Sequence, residues 1–97
     1  MDENIAIERL VRQVKEYANG RAKDVARGAE TPQLAALLVQ KYGLGVIDAV
    51  ATVYDSPRTA DPIAKVVDEE TAKIDPDWRE HAQQRWAGLP ADVVAHT

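Results

Sequence analysis

The sequence contains no cysteine and no phenylalanine, and it has one serine and one methionine among its 97 residues. The lack of cysteine excludes disulfide bonds and the zinc, iron–sulfur and c-type haem sites that use cysteine ligands. It also fits a reducing compartment. Without phenylalanine, the core has to be built mainly from Ala, Val, Leu and Ile, with two Trp and three Tyr as the large side chains.

Long apolar runs are also missing from the sequence. No stretch approaches the ~18 uninterrupted apolar residues of a membrane-spanning helix. The first eight residues, MDENIAIE, are acidic where a signal peptide would be basic. We therefore expect a cytoplasmic protein that does not enter a membrane.

Residues that carry chemistry are few. Gly43-Leu44-Gly45 lacks the further glycines and the Lys-Ser/Thr pair of a phosphate-binding loop. Ser56 is the single serine, and the histidines are His81 and His96. An Asp77–His81 pair one helical turn apart is predicted, but such a pair on a surface helix is usually incidental, and it lacks the further ligands of a metal site. The sequence predicts no enzyme, no cofactor and no metal.

The net charge is −4 and the pI is near 5.1, which argues against general affinity for nucleic acid or anionic membranes. Residues 1–27 carry six basic and five acidic side chains, so the remainder of the chain carries −5. The usage of Ala, Val, Asp and Arg resembles that of high-GC bacterial or phage proteins.

The hydrophobic pattern predicts one all-α domain over residues 1–97, a small bundle of four to five helices. Residues 3–27 form a long amphipathic helix with a weak point at Gly20 and an end at Gly28. Its polar face carries a basic stripe, for which we favour simple solvation over docking to an acidic partner or a phosphate backbone. The basic stripe consists of Arg9, Arg12, Lys23 and Arg27.

The most apolar stretch, residues 31–54, predicts a central helical hairpin. Thr31-Pro32 has the form of an N-cap followed by a first-turn proline. Gly43 is typical of a helix end, and a second helix is expected from Val46. Leu34, Leu38 and Tyr42 form the predicted buried stripe of the first helix. The β-branched residues of 46–54 leave a strand as an alternative for that segment.

After a stiff connection over residues 55–62, helices are predicted from Pro62 to about Ile74 and from Asp75-Pro76 to Gly88. The last helix places Trp78, Ala82, Trp86 and Leu89 on one stripe, flanked by His81 and Arg85. The tryptophans pack over the core in one interpretation. In the other, Trp78, His81, Arg85 and Trp86 form a protein-binding patch, because Trp and Arg dominate interface energetics.

These patterns favour a non-enzymatic protein-interaction module, an accessory, regulatory or adaptor protein that binds a protein partner or itself as a homo-oligomer. One alternative is a dimeric helix–turn–helix DNA-binding regulator, because LAALLVQKYGLGVIDAV partly matches the spacing of that motif. Against it, the exposed face of the second helix offers Asp48, Thr52 and Asp55 rather than base-reading side chains. A second alternative is a small subunit of a larger enzyme.

Overall fold

The computed structural model of the protein describes residues 2–87, with the backbone alone at residues 57 and 85–87. It contains α1 (Glu3–Ala26), α2 (Pro32–Val53), a short 3-10 helix (Pro57–Ala60), α3 (Asp61–Ile74) and α4 (Trp78–Ala87). No strand occurs within the described residues. The predicted all-α bundle is confirmed, and the 55–62 connection contains the short 3-10 helix.

Helix α1 is one unbroken element whose two ends are capped locally. The Asp2 carboxylate accepts a hydrogen bond from the Asn4 N–H at 2.8 Å. At the other end Gly28 adopts φ 77°, and its N–H and that of Ala29 donate to carbonyls of the last turn. The predicted long helix and its end at Gly28 are therefore confirmed.

Helix α2 is one continuous helix, and the predicted hairpin at Gly43-Leu44-Gly45 is wrong. It starts as expected, with Thr31 Oγ1 accepting a hydrogen bond from the Leu34 N–H at 3.1 Å. Gly43 does not end the helix, because it is the place where α3 lies closest: a Cβ there would stand 2.7 Å from Val67 Cγ1. The chain needs this glycine for packing and not for a turn. Residues 46–53 are helical, which excludes the strand alternative.

Asp55 supplies the chain reversal that the glycines of α2 do not. It has φ 52°, and the following Ser56 N–H donates to the Ala51 carbonyl at 3.2 Å. This is the hydrogen bond that closes a helix through a left-handed residue. The chain then enters the 3-10 helix, which packs against α2.

The three longer helices pack against one another, and α4 packs on α2. The central cluster joins α1, α2, the 3-10 helix and α3 through Val14, Val50, Ala60, Ile63 and Val67. On α2 the buried positions are mostly small: Ala35, Ala36, Val39, Gly43 and Val50. The predicted buried stripe of α2 is wrong at Leu34, which is exposed, because close approach through the small residues sets which side of α2 is buried. Leu38 and Tyr42 are half-buried, and Tyr42 packs against the core.

Specific polar and aromatic contacts fix how α2 lies against its neighbours. The Tyr17 and Tyr42 rings stack between α1 and α2, with centroids 4.2 Å apart. The Gln40 Nε2 donates to Thr71 Oγ1 at 2.9 Å, and this fully buried hydroxyl donates to the Val67 carbonyl at 2.6 Å. Buried polar groups that are paired in this way favour one register of α2 on α3.

Candidate protein-binding surface

The side of α2 that faces away from the core is exposed and carries both apolar and charged side chains. On this side Leu34 is 45% exposed and Leu44 is 55% exposed. At 100° per residue, the exposed positions that centre on this side are Leu34, Lys41, Leu44, Gly45, Asp48 and Thr52, which we call the α2 face. Large apolar side chains on an exposed helix face are candidates for a contact surface.

Two shallow grooves border the α2 face. The one toward α1 is lined by apolar atoms from Leu10, Tyr42, Val46 and Ala49. The one toward α4, about 370 Å³ in volume, is lined by Gln33, Leu34, Leu37, His81 and Gln84. Both grooves are open to solvent, so they widen the apolar strip and do not form an enclosed ligand cavity.

His81 is placed by Asp75 and not by Asp77, which corrects the predicted pairing. His81 Nδ1 lies 2.6 Å from Asp75 Oδ2, and Asp75 is nearly fully buried. The other carboxylate oxygen of Asp75 accepts the Asp77 N–H at 3.2 Å, while Asp77 itself is exposed. A carboxylate oxygen only accepts hydrogen bonds, so Nδ1 carries the proton in this pair. The pair ties the start of α4 to the end of α3.

The remaining residues of the predicted Trp patch are only partly within the described structure. Trp78 is half-buried at the start of α4, and the Arg79 guanidinium lies 4.8 Å from the centroid of its ring. Arg79 also faces Asp68 at 3.6 Å. The Arg85 and Trp86 side chains, along with Leu89 and His96, lie outside the described residues. The structure therefore places His81 in the groove beside the α2 face and leaves the patch itself a prediction.

The predicted basic stripe lies along the exposed side of α1. Arg9, Arg12, Lys23 and Arg27 are all exposed, as the helical spacing indicated. Acidic side chains accompany them, since Arg27 pairs with Asp24, and Asp24 also binds Arg21 at 2.7 Å. Basic side chains that are paired with acidic ones attract a polyanion only weakly.

Helix α2 also meets a length and hydropathy criterion for crossing a membrane, the one helix among residues 2–87 that does so. Its most apolar window has a mean hydropathy of 1.5, and 28% of that window is buried. Core helices of water-soluble proteins pass the same criterion, so this is weak evidence. Within residues 2–87 no group of three metal-ligating side chains is brought together.

Comparisons with models of protein families, with curated protein sequences and with solved structures find no match to this chain. Sequence reasoning placed Asp48 and Thr52 on the exposed side of this segment but missed the exposure of Leu34. The signal for it was present, because a helix that is apolar on more than one side has to be buried all round or covered by a partner.

Proposed function

We propose that this protein is a non-enzymatic protein-interaction module that binds through the α2 face. The observation that carries the proposal is the exposure of large apolar residues, Leu34 and Leu44, on a helix whose opposite side is already packed into the core. Covering such residues removes apolar surface from water, which is the main favourable term in protein association.

The residues at the edge of the α2 face are also consistent with protein binding. His81 and Leu37 line the groove beside Leu34, and Trp78 lies on the same short helix. A polar rim beside apolar side chains is the usual anatomy of an interface. The Asp75–His81 pair contributes by holding α4 in place at this rim.

The structure of α2 does not have the geometry that the helix–turn–helix alternative requires. That motif needs two helices joined by a short turn, with the second in the major groove. The corresponding residues form the uninterrupted helix α2. Its exposed side carries Lys41, Leu44 and Asp48, a mixture that suits a protein partner better than a phosphate backbone.

The proposal is tested with a double variant, Leu34→Glu with Leu44→Glu, which places two charges on the α2 face. The matched control adds the same charge on α1, by Gln13→Glu with Asn19→Glu at exposed positions. Light scattering over a range of concentrations measures self-association, and affinity capture from cell extract measures binding to other proteins. Circular dichroism verifies that all three proteins fold.

We expect the wild type and the control to share an association that the α2 double variant has lost. A wild type that is monomeric at every concentration and captures nothing beyond what the double variant captures would contradict the proposal. Loss of association in both variants would place the binding surface elsewhere.

A further inference from the structure

The charges on the α2 face have no partner within the described part of the chain. Lys41 and Asp48 are exposed, and neither makes an ion pair with a residue among 2–87. They stand two helical turns apart, with Leu44 and Gly45 between them on the same side of α2. The face is therefore apolar at its centre, with one positive and one negative charge at equal distances from that centre.

Gly45 lies at this centre, and packing within the chain gives no reason for a glycine there. A Cβ at Gly45 would meet no atom within 4 Å, whereas one at Gly43 would overlap Val67. Glycine destabilises a helix interior relative to alanine, so an unneeded one calls for a different explanation. The absence of a side chain lets the backbone of another helix come close at this position.

The spacing of the charges matches a second copy of the same helix. The midpoint between Lys41 and Asp48 falls between Leu44 and Gly45. A two-fold axis through that midpoint pairs α2 with an antiparallel α2, so that Lys41 of each copy faces Asp48 of the other. The same axis sets Leu44 of each copy against Gly45 of the other. A two-fold interface requires this kind of self-complementarity.

We propose that the α2 face is the interface of an antiparallel homodimer, in which Lys41 and Asp48 form two symmetric ion pairs around Leu44 and Gly45. This inference rests on the proposed function and names its partner. A parallel pairing is disfavoured because it sets Lys41 against Lys41 and Asp48 against Asp48. Burial in hydrocarbon is disfavoured because both charges would lie near the middle of the buried helix.

The dimensions of α2 predict the strength of this dimer. Its 22 residues give a strip about 33 Å long and roughly one helix diameter wide. Two such strips bury roughly 700–800 Å² in total, below the ~1,200 Å² lower bound of standard specific interfaces, which corresponds to a weak association. We therefore expect a monomer–dimer equilibrium that depends on protein concentration.

Charge reversal tests the pairing without altering the core. Lys41→Glu and Asp48→Lys each create two like-charge pairs in the antiparallel dimer, and we expect each to weaken dimerisation by about tenfold or more. The double variant Lys41→Glu with Asp48→Lys restores both pairs, and we expect it to dimerise like the wild type. An equimolar mixture of the two single variants forms a heterodimer with two attractive pairs. Light scattering measures all four samples.

Cysteine crosslinking tests the direction of the helices, and the cysteine-free chain makes each added thiol unique. Leu44→Cys lies beside the two-fold axis, so we expect mild oxidation to give a covalent dimer. Leu34→Cys is the control, since the antiparallel arrangement separates its two copies by roughly 30 Å. Crosslinking of both cysteines to the same extent would overturn the antiparallel arrangement.

The outcomes separate this inference from the proposed function. A wild type that is monomeric at all concentrations, but captures a protein that the Leu34→Glu, Leu44→Glu variant does not, overturns the homodimer and keeps the interaction module. A dimer that is indifferent to both single reversals places self-association on another surface and overturns the inference. Rescue by the double reversal and by the mixed single variants supports it.

Discussion

Gly43 shows how a single residue sets the distance between two helices. Its missing Cβ leaves the space that the Val67 methyl groups occupy, and Val67 is buried and β-branched, so it has little freedom to move aside. We predict that Gly43→Ala lowers the free energy of unfolding by about 1–3 kcal/mol, the usual cost of overpacking. Urea denaturation followed by circular dichroism measures the change.

Two further variants test whether the loss of stability in Gly43→Ala comes from overlap with Val67 or from alanine itself. Gly20→Ala is the matched control, because its Cβ would meet no atom within 4 Å, and we expect it to stabilise α1 by up to about 1 kcal/mol. Val67→Ala removes the atoms that clash, so the double variant Gly43→Ala with Val67→Ala should lose less stability than the sum of the two single changes. Strict additivity would show that Gly43 and Val67 do not share this space.

Gly28, Gly43 and Asp55 show which helix ends the sequence could predict. Gly28 ends α1 through local hydrogen bonds, and a local pattern predicts such an end correctly. Gly43 looks the same in the sequence, but its role depends on a residue of α3 that is distant along the chain. The end of α2 falls on Asp55, which tolerates the left-handed region less well than glycine and so gives a weaker signal.

Among the elements, α4 depends most on a single anchoring residue. Asp75 accepts the Asp77 N–H through its side chain and the Trp78 N–H through its backbone, and its carboxylate binds His81. Hydrogen bonds to a charged group contribute about 1.5–3 kcal/mol each. We predict that Asp75→Ala increases amide hydrogen exchange in residues 78–87 by about 10- to 100-fold. Hydrogen-exchange mass spectrometry measures this, and α1 to α3 should remain protected.

Asp77→Asn provides the control for that experiment. The Asp77 side chain makes no hydrogen bond or ion pair with a described residue, so its change removes a charge near the start of α4 and no specific contact. We expect exchange in residues 78–87 to change by less than about fivefold. An equal effect of the two variants would favour the Asp77–His81 pair that helical spacing predicts over the Asp75–His81 pair of the structure.

The existence of the helices was predictable, but the buried side of α2 was not. A 3.6-residue period identifies α1 and α3, and the Thr31-Pro32 cap identifies the start of α2, without knowledge of the fold. On α2, however, apolar residues occur around most of the helix, so the period does not say which side is buried. The outcome depended on Gly43, Ala35 and Ala36, whose small size allows the closest approach. The α2 face could therefore be located only once its neighbours were placed.

At the scale of the whole molecule, the distribution of charge limits the kind of partner that can bind. The chain carries 16 acidic and 12 basic side chains, and several basic ones already pair with acids. The ion pairs are spread over the surface, as in Arg21 with Glu30, Lys73 with Glu70, and Arg79 with Asp68. No strongly positive surface is left among the described residues to concentrate a polyanion.

We predict that the protein does not bind duplex DNA even at low salt, where electrostatic association is strongest. Non-specific binding depends on the neutralisation of phosphates by basic side chains and reaches dissociation constants of about 10⁻⁴–10⁻⁶ M at physiological salt. With a net charge of −4 and no helix–turn–helix geometry in α2, we expect no change in the fluorescence anisotropy of a labelled duplex at ~20 mM salt and protein concentrations up to ~100 μM. A lysine-rich peptide is the positive control. An affinity that falls steeply as salt is added would show that the basic stripe of α1 acts as a phosphate-binding surface, because each released counterion contributes to that slope.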